Sequence, residues 1–212
     1  MTVAKTIALF SRRPEISREQ FRDHYETVHA PLAARHVPFA KYVRSYLVAS
    51  DEAGFDVLTE FWREPMSEAE RDNLSPGRAA LKADGERLIA DRRFYASAEE
   101  RLIAGAPRAI DTGPVRRYAL LLNRPPDIAE AAFTTFVNNW ALRLFSGNSL
   151  TRVTLDIVRP QNGGTFPADA IVSLWPNRRF EDGGLGPAPA VVALGGILAL
   201  EVCETPKEEL AG

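Results

Sequence analysis

The chain has 212 residues, 45% hydrophobic and 25% charged, a composition that fits a folded globular protein of one large or two smaller domains and argues against disorder. Its 26 Lys and Arg against 28 Asp and Glu leave a net charge of −2 with both signs interspersed, so no general attraction to nucleic acid or to an acidic membrane surface is expected. One cysteine, Cys203, excludes an internal disulfide and a cysteine-based zinc site.

The N-terminal stretch MTVAKTIALFSRRP puts its arginines after a short apolar run, the reverse of a secretion signal, and no apolar run is long enough to span a bilayer. A cytoplasmic protein without membrane or nucleic-acid partners is expected. The first element, AKTIALFS, reads as a strand. In the next segment Ser17 and Gln20 form a capping box, and Ile16 and Phe21 a hydrophobic staple. Phe21, Tyr25, Val28 and Leu32 fall on one helical stripe, and Pro31 should end the helix. KYVRSYLV and FDVLTEFW follow as strands. A second helix runs through GRAALKADGERLIAD, with Ser75 as its cap and Pro76 at its first position. ASAEERLIA closes the half as a fourth strand. The order β-α-β-β-α-β is that of a ferredoxin-like unit.

From Tyr118 the pattern recurs. A shift of 112 positions places Arg124 on Arg12, Pro126 on Pro14, Ile128 on Ile16 and Phe133 on Phe21. SLTRVTLDIV then lies on FAKYVRSYLV, which sets Asp156 on Tyr46, and ADAIVSLW lies on FDVLTEFW, which matches Asp169 to Asp56 and Trp175 to Trp62. Glu201 can lie on Glu100. The Gly- and Pro-rich EDGGLGPAPAVVALGG suggests a shortened second helix in this half. The expected domains are residues 1–107 and 108–212, joined through AGAPRAIDTGP.

FRDHYETVHAPLA resembles the helix signature of the EthD-like family, within the dimeric α+β barrel superfamily, through Phe21, Tyr25, His29, Pro31 and Leu32. FDVLTEFW is similar to that family's third strand, with Asp56, Glu60 and Trp62. The resemblance implies an α+β fold in which two ferredoxin-like sheets pack into a barrel with helices outside. Most members build the barrel from two chains. This chain would supply both units as an intramolecular pseudo-dimer, with a further homodimer left open. The second half lacks the signature, since His29, Tyr25 and Pro31 fall on Ala141, Val137 and Arg143, and Glu60 on Ser173. One functional half and one structural half are expected.

The three histidines, His24, His29 and His36, all lie in this first helix region. On a regular helix His29 stands about +80° and His24 about −60° from Phe21, so they flank the buried stripe on opposite sides. Histidine titrates near neutrality and suits proton transfer. The alternative is a histidine that caps a helix end. With the resemblance, His29 and Glu60 become the candidate catalytic residues. Tyr25, Tyr46, Trp62, Arg44 and Asp56 become the candidate substrate contacts, provided that the strand faces bearing Tyr42, Arg44 and Tyr46 and bearing Asp56, Glu60 and Trp62 point the same way. Asp56 also fits a structural ion pair, because Asp169 repeats it. No metal site is expected, since no HExxH, cysteine cluster or calcium loop occurs, and no nucleotide fingerprint is present. No cofactor is expected. Cys203 fits a small buried side chain better than a nucleophile.

The expected function is a cofactor-independent enzyme that acts on a small hydrophobic ring or lactone compound by proton transfer. Isomerase, dehydratase or cyclase chemistry in a degradative or secondary-metabolite pathway would fit. The superfamily also contains cofactor-free oxygenases and other members that bind haem. The alternative is a non-catalytic ligand-binding or accessory protein of an ether or aromatic degradation system.

Overall fold

The computed structural model describes residues 3–48, 54–64, 76–105, 107, 115–147, 150–161, 163–176 and 193–210. Eight strands close into one barrel: β1 (Ala4–Arg12), β2 (Phe39–Leu47), β3 (Val57–Arg63), β4 (Ile89–Gly105), β5 (Val115–Asn123), β6 (Leu150–Pro160), β7 (Ala170–Pro176) and β8 (Ala193–Glu204). Their order round the barrel is β1-β3-β2-β8-β5-β7-β6-β4, and every neighbouring pair is antiparallel. Pairs β2–β8 and β4–β6 join the two halves of the chain and leave no free edge, which removes the unpaired backbone groups an open sheet would expose.

Side-chain alternation sorts the core into three clusters. Ile7, Leu9, Leu58, Ala96, Ala119, Leu121, Ile171 and Leu200 point into the barrel. The opposite faces of the first-half strands carry Ala8, Phe10, Tyr42, Tyr46 and Val57, which pack against helices. In the second half Leu120, Leu122, Val153, Leu155, Val172 and Leu174 pack against α4 (Glu130–Gly147) through Phe133, Val137, Trp140, Ala141 and Leu144. Each large side chain so buried contributes about 1.5–3 kcal/mol.

The first helical run starts as the sequence suggests, with the Ser17–Gln20 capping box. It does not stop before Pro31. Helix α1 (Arg18–His24) passes into a π turn (Tyr25–His29) and then α2 (Ala30–His36), with Pro31 in the first turn of α2. The Ala30 N–H donates to the Tyr25 carbonyl, five residues back. This wider turn lies just before the proline, whose ring would otherwise press on the carbonyl four residues earlier.

The extra residue shifts the buried stripe by one position. Val28 is 44% exposed, while His29 and Ala33 are buried beside Phe21 and Tyr25. The run is one residue longer than α4, which stays regular from Phe133 to Leu144.

That residue also corrects the register read from the repeat. Phe39 opposes Arg63, and Leu150 opposes Pro176, so the β2-to-β6 offset is 111. The position of Tyr46 is therefore matched by Ile157, and Asp156 matches Ser45. Because a one-residue slip reverses a strand face, Asp156 points into the barrel rather than toward the helices. By the same pairing Glu201 matches Glu99, not Glu100.

Local contacts recur at the repeat spacing. The Arg12 N–H donates to Asp56 Oδ2 and the Arg124 N–H to Asp169 Oδ2, each at 2.8 Å. The Arg12 and Arg124 side chains donate to the carbonyls of Ile16 and Ile128.

Helix α3 (Pro76–Leu88) packs on α2 and the π turn. Gly77 is required by close approach: a Cβ there would lie 2.2 Å from the His36 ring. Ser75 and residues 177–192, where the second half's reduced helix is expected, lie outside the described residues. Among the described residues no helix is long and apolar enough to cross a membrane.

Candidate functional site

The π turn places His29 against α3. Its Nδ1 lies 2.9 Å from Asp84 Oδ2, and His24 Nε2 lies 2.8 Å from Asp84 Oδ1. On a regular helix the two histidines would stand about 140° apart. The extra residue rotates both onto one carboxylate. Since a carboxylate only accepts, Nδ1 of His29 carries the proton and Nε2 is left as the basic nitrogen. The ring is 8% exposed. It packs on Tyr25 at a centroid distance of 4.6 Å and lies beside Gly85, where a Cβ would come 3.4 Å from it.

Burial lowers the His29 pKa below the usual histidine value, with Asp84 opposing and His24 adding to the fall. His29 is therefore neutral near pH 7. Asp84 is held below the ordinary aspartate value, with burial opposing and hydrogen bonds from His24 and His29 prevailing. His29 is thus not a C-terminal cap: it sits in the middle of a continuous helical run.

A polar tier lies beneath the helix. Arg44 donates to both Glu26 oxygens, from Nε at 3.0 Å and Nη2 at 2.6 Å, and also to Thr205. The Tyr46 hydroxyl donates to Glu26 at 2.6 Å, and the Tyr42 hydroxyl to that of Tyr25 at 3.3 Å. Burial pushes the Tyr25, Tyr42 and Tyr46 phenols up, so all three stay protonated donors. Cys203 is half-buried beside Arg22, and burial raises its thiol pKa.

The structure brings His29, Tyr25, Tyr46 and Arg44 to one side of the sheet but not Glu60 or Trp62. Register explains the separation. Arg44 opposes Thr59 and Val43 opposes Glu60, so Tyr42, Arg44 and Tyr46 face the helices while Glu60 and Trp62 face the barrel interior. The condition that both strand faces point the same way therefore fails, and Glu60 does not hold the His29 imidazole. Asp84 does, a residue that the sequence reading did not single out. Its signal lay only in the tertiary contact of α3 with the π turn.

Asp56 sits apart, accepting from the Arg12 N–H, the Arg12 guanidinium and Arg18. Glu60 joins a buried ionic cluster: Lys5 Nζ lies 2.8 Å from it and 2.7 Å from Asp156, and Arg117 reaches its other oxygen at 2.6 Å. The cluster borders a small open cleft whose walls include Lys41, Glu60, Trp62 and Glu100 from the first half and Arg117, Arg152, Trp175 and Glu204 from the second. Among the described residues no group of three or more His, Cys, Asp or Glu side chains is arranged to hold a metal ion.

Residues 13–92 match the EthD domain. No curated protein sequence matches the chain. Among solved structures, an anthrone oxidase-like protein is 14% identical, with 96% of this chain and 92% of that one covered at a TM-score of 0.59. A candidate monooxygenase from Lactobacillus acidophilus NCFM is 9% identical, with 98% and 97% covered at 0.56. A mutant chlorite dismutase from Candidatus Nitrospira defluvii is 11% identical, with 98% and 93% covered at 0.50. These likenesses establish an α+β fold of the dimeric α+β barrel type.

Proposed function

From the EthD domain of residues 13–92 and the histidine–carboxylate pair within it, we propose that the protein is a cofactor-independent enzyme moving protons on a small, largely hydrophobic ring or lactone compound. The bond from His29 Nδ1 to Asp84 carries this reading. It fixes the tautomer, leaves Nε2 to take a proton from a carbon acid, and places a carboxylate where the resulting imidazolium needs one. The proton would return from Nε2 to another atom of the same compound, an isomerisation, or to a departing hydroxyl, a dehydration. Burial keeps all three neighbouring tyrosines protonated; Tyr46 donates to Glu26 and Tyr42 to Tyr25, which leaves the Tyr25 hydroxyl proton for a carbonyl oxygen. A π turn is itself a frequent feature of functional sites. The neighbour named for anthrone oxidase likeness is consistent with ring compounds as substrates.

The scaffold for this site is two βαββαβ units in tandem, residues 1–107 and 108–212. Support comes from the strand order fourth-first-third-second in each half and from the Arg12–Asp56 and Arg124–Asp169 contacts. The second unit serves the barrel: with the extra residue of the first run allowed for, buried Trp140 takes the place of His29.

A second reading, a ligand-binding or accessory protein without catalysis, is favoured by how little of the His29 ring reaches solvent. Proton exchange separates the two. Lactones and cyclic ketones bearing exchangeable C–H groups are incubated with the protein in deuterated water and followed by NMR. Catalysed deuterium uptake should fall by about 10²–10⁴-fold in His29→Gln. Uptake no faster with the native protein than with His29→Gln would leave the non-catalytic reading standing.

A further inference from the structure

The cleft lies on the opposite side of the sheet from His29 and is lined by three residues with a buried donor that nothing in the protein uses. Arg117 is 3% exposed; one terminal nitrogen bonds Glu60, yet its Nε–H has no partner. Arg152 reaches Glu100 at 3.4 Å through one terminal nitrogen, and its Nε–H is likewise unpaired. The indole N–H of Trp175, a residue 7% exposed, has no partner either. The three gather round one ring: the Arg117 and Arg152 guanidinium carbons lie 5.7 and 4.9 Å from the Trp175 centroid. Unpaired buried donors are rare in folded proteins, and three together around one cleft call for an acceptor.

The repeat shows why the acceptor is missing. Lys5 and Arg117 occupy matching positions, as do Trp62 and Trp175, and Lys41 and Arg152. In the first half Glu60 answers the cations. Its counterpart is Ser173, a buried serine whose hydroxyl also has no partner. The second half has kept the cations and lost the carboxylate.

We propose that this cleft binds a small planar oxyanion, a carboxylate or its inorganic analogue, which takes the place of the absent side-chain carboxylate among Arg117, Arg152 and Trp175. The carboxylates on the cleft wall, Glu60, Glu100 and Glu204, each already face a cation, Arg117, Arg152 and Lys41, whereas the unpartnered groups are two guanidinium N–H, one indole N–H and a hydroxyl, so the ligand that completes them is an acceptor. A large aromatic ligand is disfavoured because both indole rings are already covered by cations, Trp62 by Lys5 and Lys41 at 4.7 Å each, and Trp175 by the two arginines. Guanidinium groups match planar oxyanions in geometry as well as charge. The site is independent of the proton-transfer reading, since none of its groups contacts His29 or Asp84.

The test uses sodium acetate and sodium nitrate as probes, with sodium chloride at matched ionic strength as control. The full-length ¹⁵N-labelled protein is titrated while the indole N–H resonances are observed, assigned through tryptophan-to-phenylalanine variants. The Trp175 resonance should move saturably, with a Kd of about 1 mM, while buried Trp140 stays still. Movement with acetate alone identifies a carboxylate site; equal movement with nitrate identifies a general planar-oxyanion site. Arg152→Gln should weaken binding by about tenfold or more, and Arg117→Lys, which keeps a cation for Glu60, should do the same. His29→Gln should bind as the native protein does. A Trp175 resonance that follows chloride equally, or moves unchanged in both arginine variants, would mean that only water meets these donors and would overturn the proposal.

Discussion

Lys5 and Arg117, at matching positions of β1 and β5, meet on opposite oxygens of one carboxylate, that of Glu60, at 2.8 and 2.6 Å. The two halves of the chain are thus joined by charge inside the barrel as well as by backbone bonds at its seams. Lys5 also holds Asp156 from the second half at 2.7 Å, and all four side chains are almost wholly buried. Burial works against the charge on Lys5, yet Asp156, Glu60 and Glu100 together raise its pKa, so it stays charged.

Removing Lys5 should therefore cost more than any surface pair would. Among the described residues, Lys5→Met leaves Asp156 without a close cation and Glu60 with Arg117 as its one cation. The expected loss is about 3–5 kcal/mol at pH 7, the usual cost of breaking a buried pair from one side. Denaturant unfolding should show it as a lower midpoint with an unchanged slope. The loss should shrink near pH 5, where Asp156 can take up a proton in place of the missing ammonium. A loss below about 1 kcal/mol, within the range of exposed pairs, would show that the cluster is solvated.

Asp156 itself makes stability depend on pH. Burial, aided by Glu60 and Glu100 and opposed by Lys5, pushes its pKa from 3.8 up to about 6. Between those values the native state keeps a proton that the unfolded chain has released. The contribution of this group to stability therefore falls as pH rises through that window. Glu60, held well below its ordinary value by Arg117 and Lys5 against the effect of burial, acts oppositely: its contribution is present above pH 4.5 and is lost only in stronger acid. The comparison of native protein with Asp156→Asn isolates the first effect. The variant should gain on the native protein by up to about 3 kcal/mol between pH 4 and pH 7, whatever constant offset the amide brings. A difference that stays flat over that range would refute the raised pKa.

The π turn predicts the effect of a deletion. The first helical run exceeds α4 by one residue, and Thr27, exposed within the turn, is the simplest to remove. The shortened run should adopt the regular path of α4, since the spacing into β2 would then equal that into β6. The barrel should persist, with circular dichroism close to native and a stability loss of about 1–3 kcal/mol. His24 and His29 would then be four residues apart, about 40° round a regular helix, so both should keep facing Asp84 and His29 should keep its Nδ1–H tautomer, readable from imidazole nitrogen shifts. Loss of that tautomer in the deletion variant would show that the wider π turn itself, and not a shared helix face, places His29.

Much of this architecture was legible because strands and helices announce themselves locally. The capping box at Ser17 and Gln20, the period-2 runs and the repeat from Arg12 to Phe21 each depend on neighbours in sequence. What failed depends on contacts across the fold. One extra residue in a helix changes the phase of the stripe, so a regular helical period buries Val28 and leaves His29 at the flank, the reverse of the structure. The sequence match of β2 with β6 shifts by two positions from 112 where the helix supplies one, and so sets Asp156 on the helix-facing side. Tyr46 and Glu60 each lie on a correctly alternating strand, but which face of one strand meets which face of the next is set by register. Asp84 carried no local signature, because its role arises only where α3 meets the π turn.

Asp84 and His24 should shift His29 in opposite directions. Asp84 stabilises the imidazolium through a hydrogen bond and its charge, whereas His24, when protonated, disfavours it. Asp84→Asn should therefore lower the His29 pKa further, and His24→Gln should raise it toward the ordinary value. Proton NMR titration of the imidazole resonances reads both. If His29 is the base, deuterium uptake into a responsive lactone or ketone should follow the same order. Asp84→Asn should lose about 10²–10⁴-fold, because the amide can donate to Nδ1 and trap the wrong tautomer. His24→Gln should keep most activity and move the acidic limb of its pH profile upward, since more protons then compete for Nε2. A pure packing role for the pair predicts otherwise: both variants would lose stability and neither would displace the pH profile. Equal His29 titrations in the two variants would break the link between Asp84 and the base.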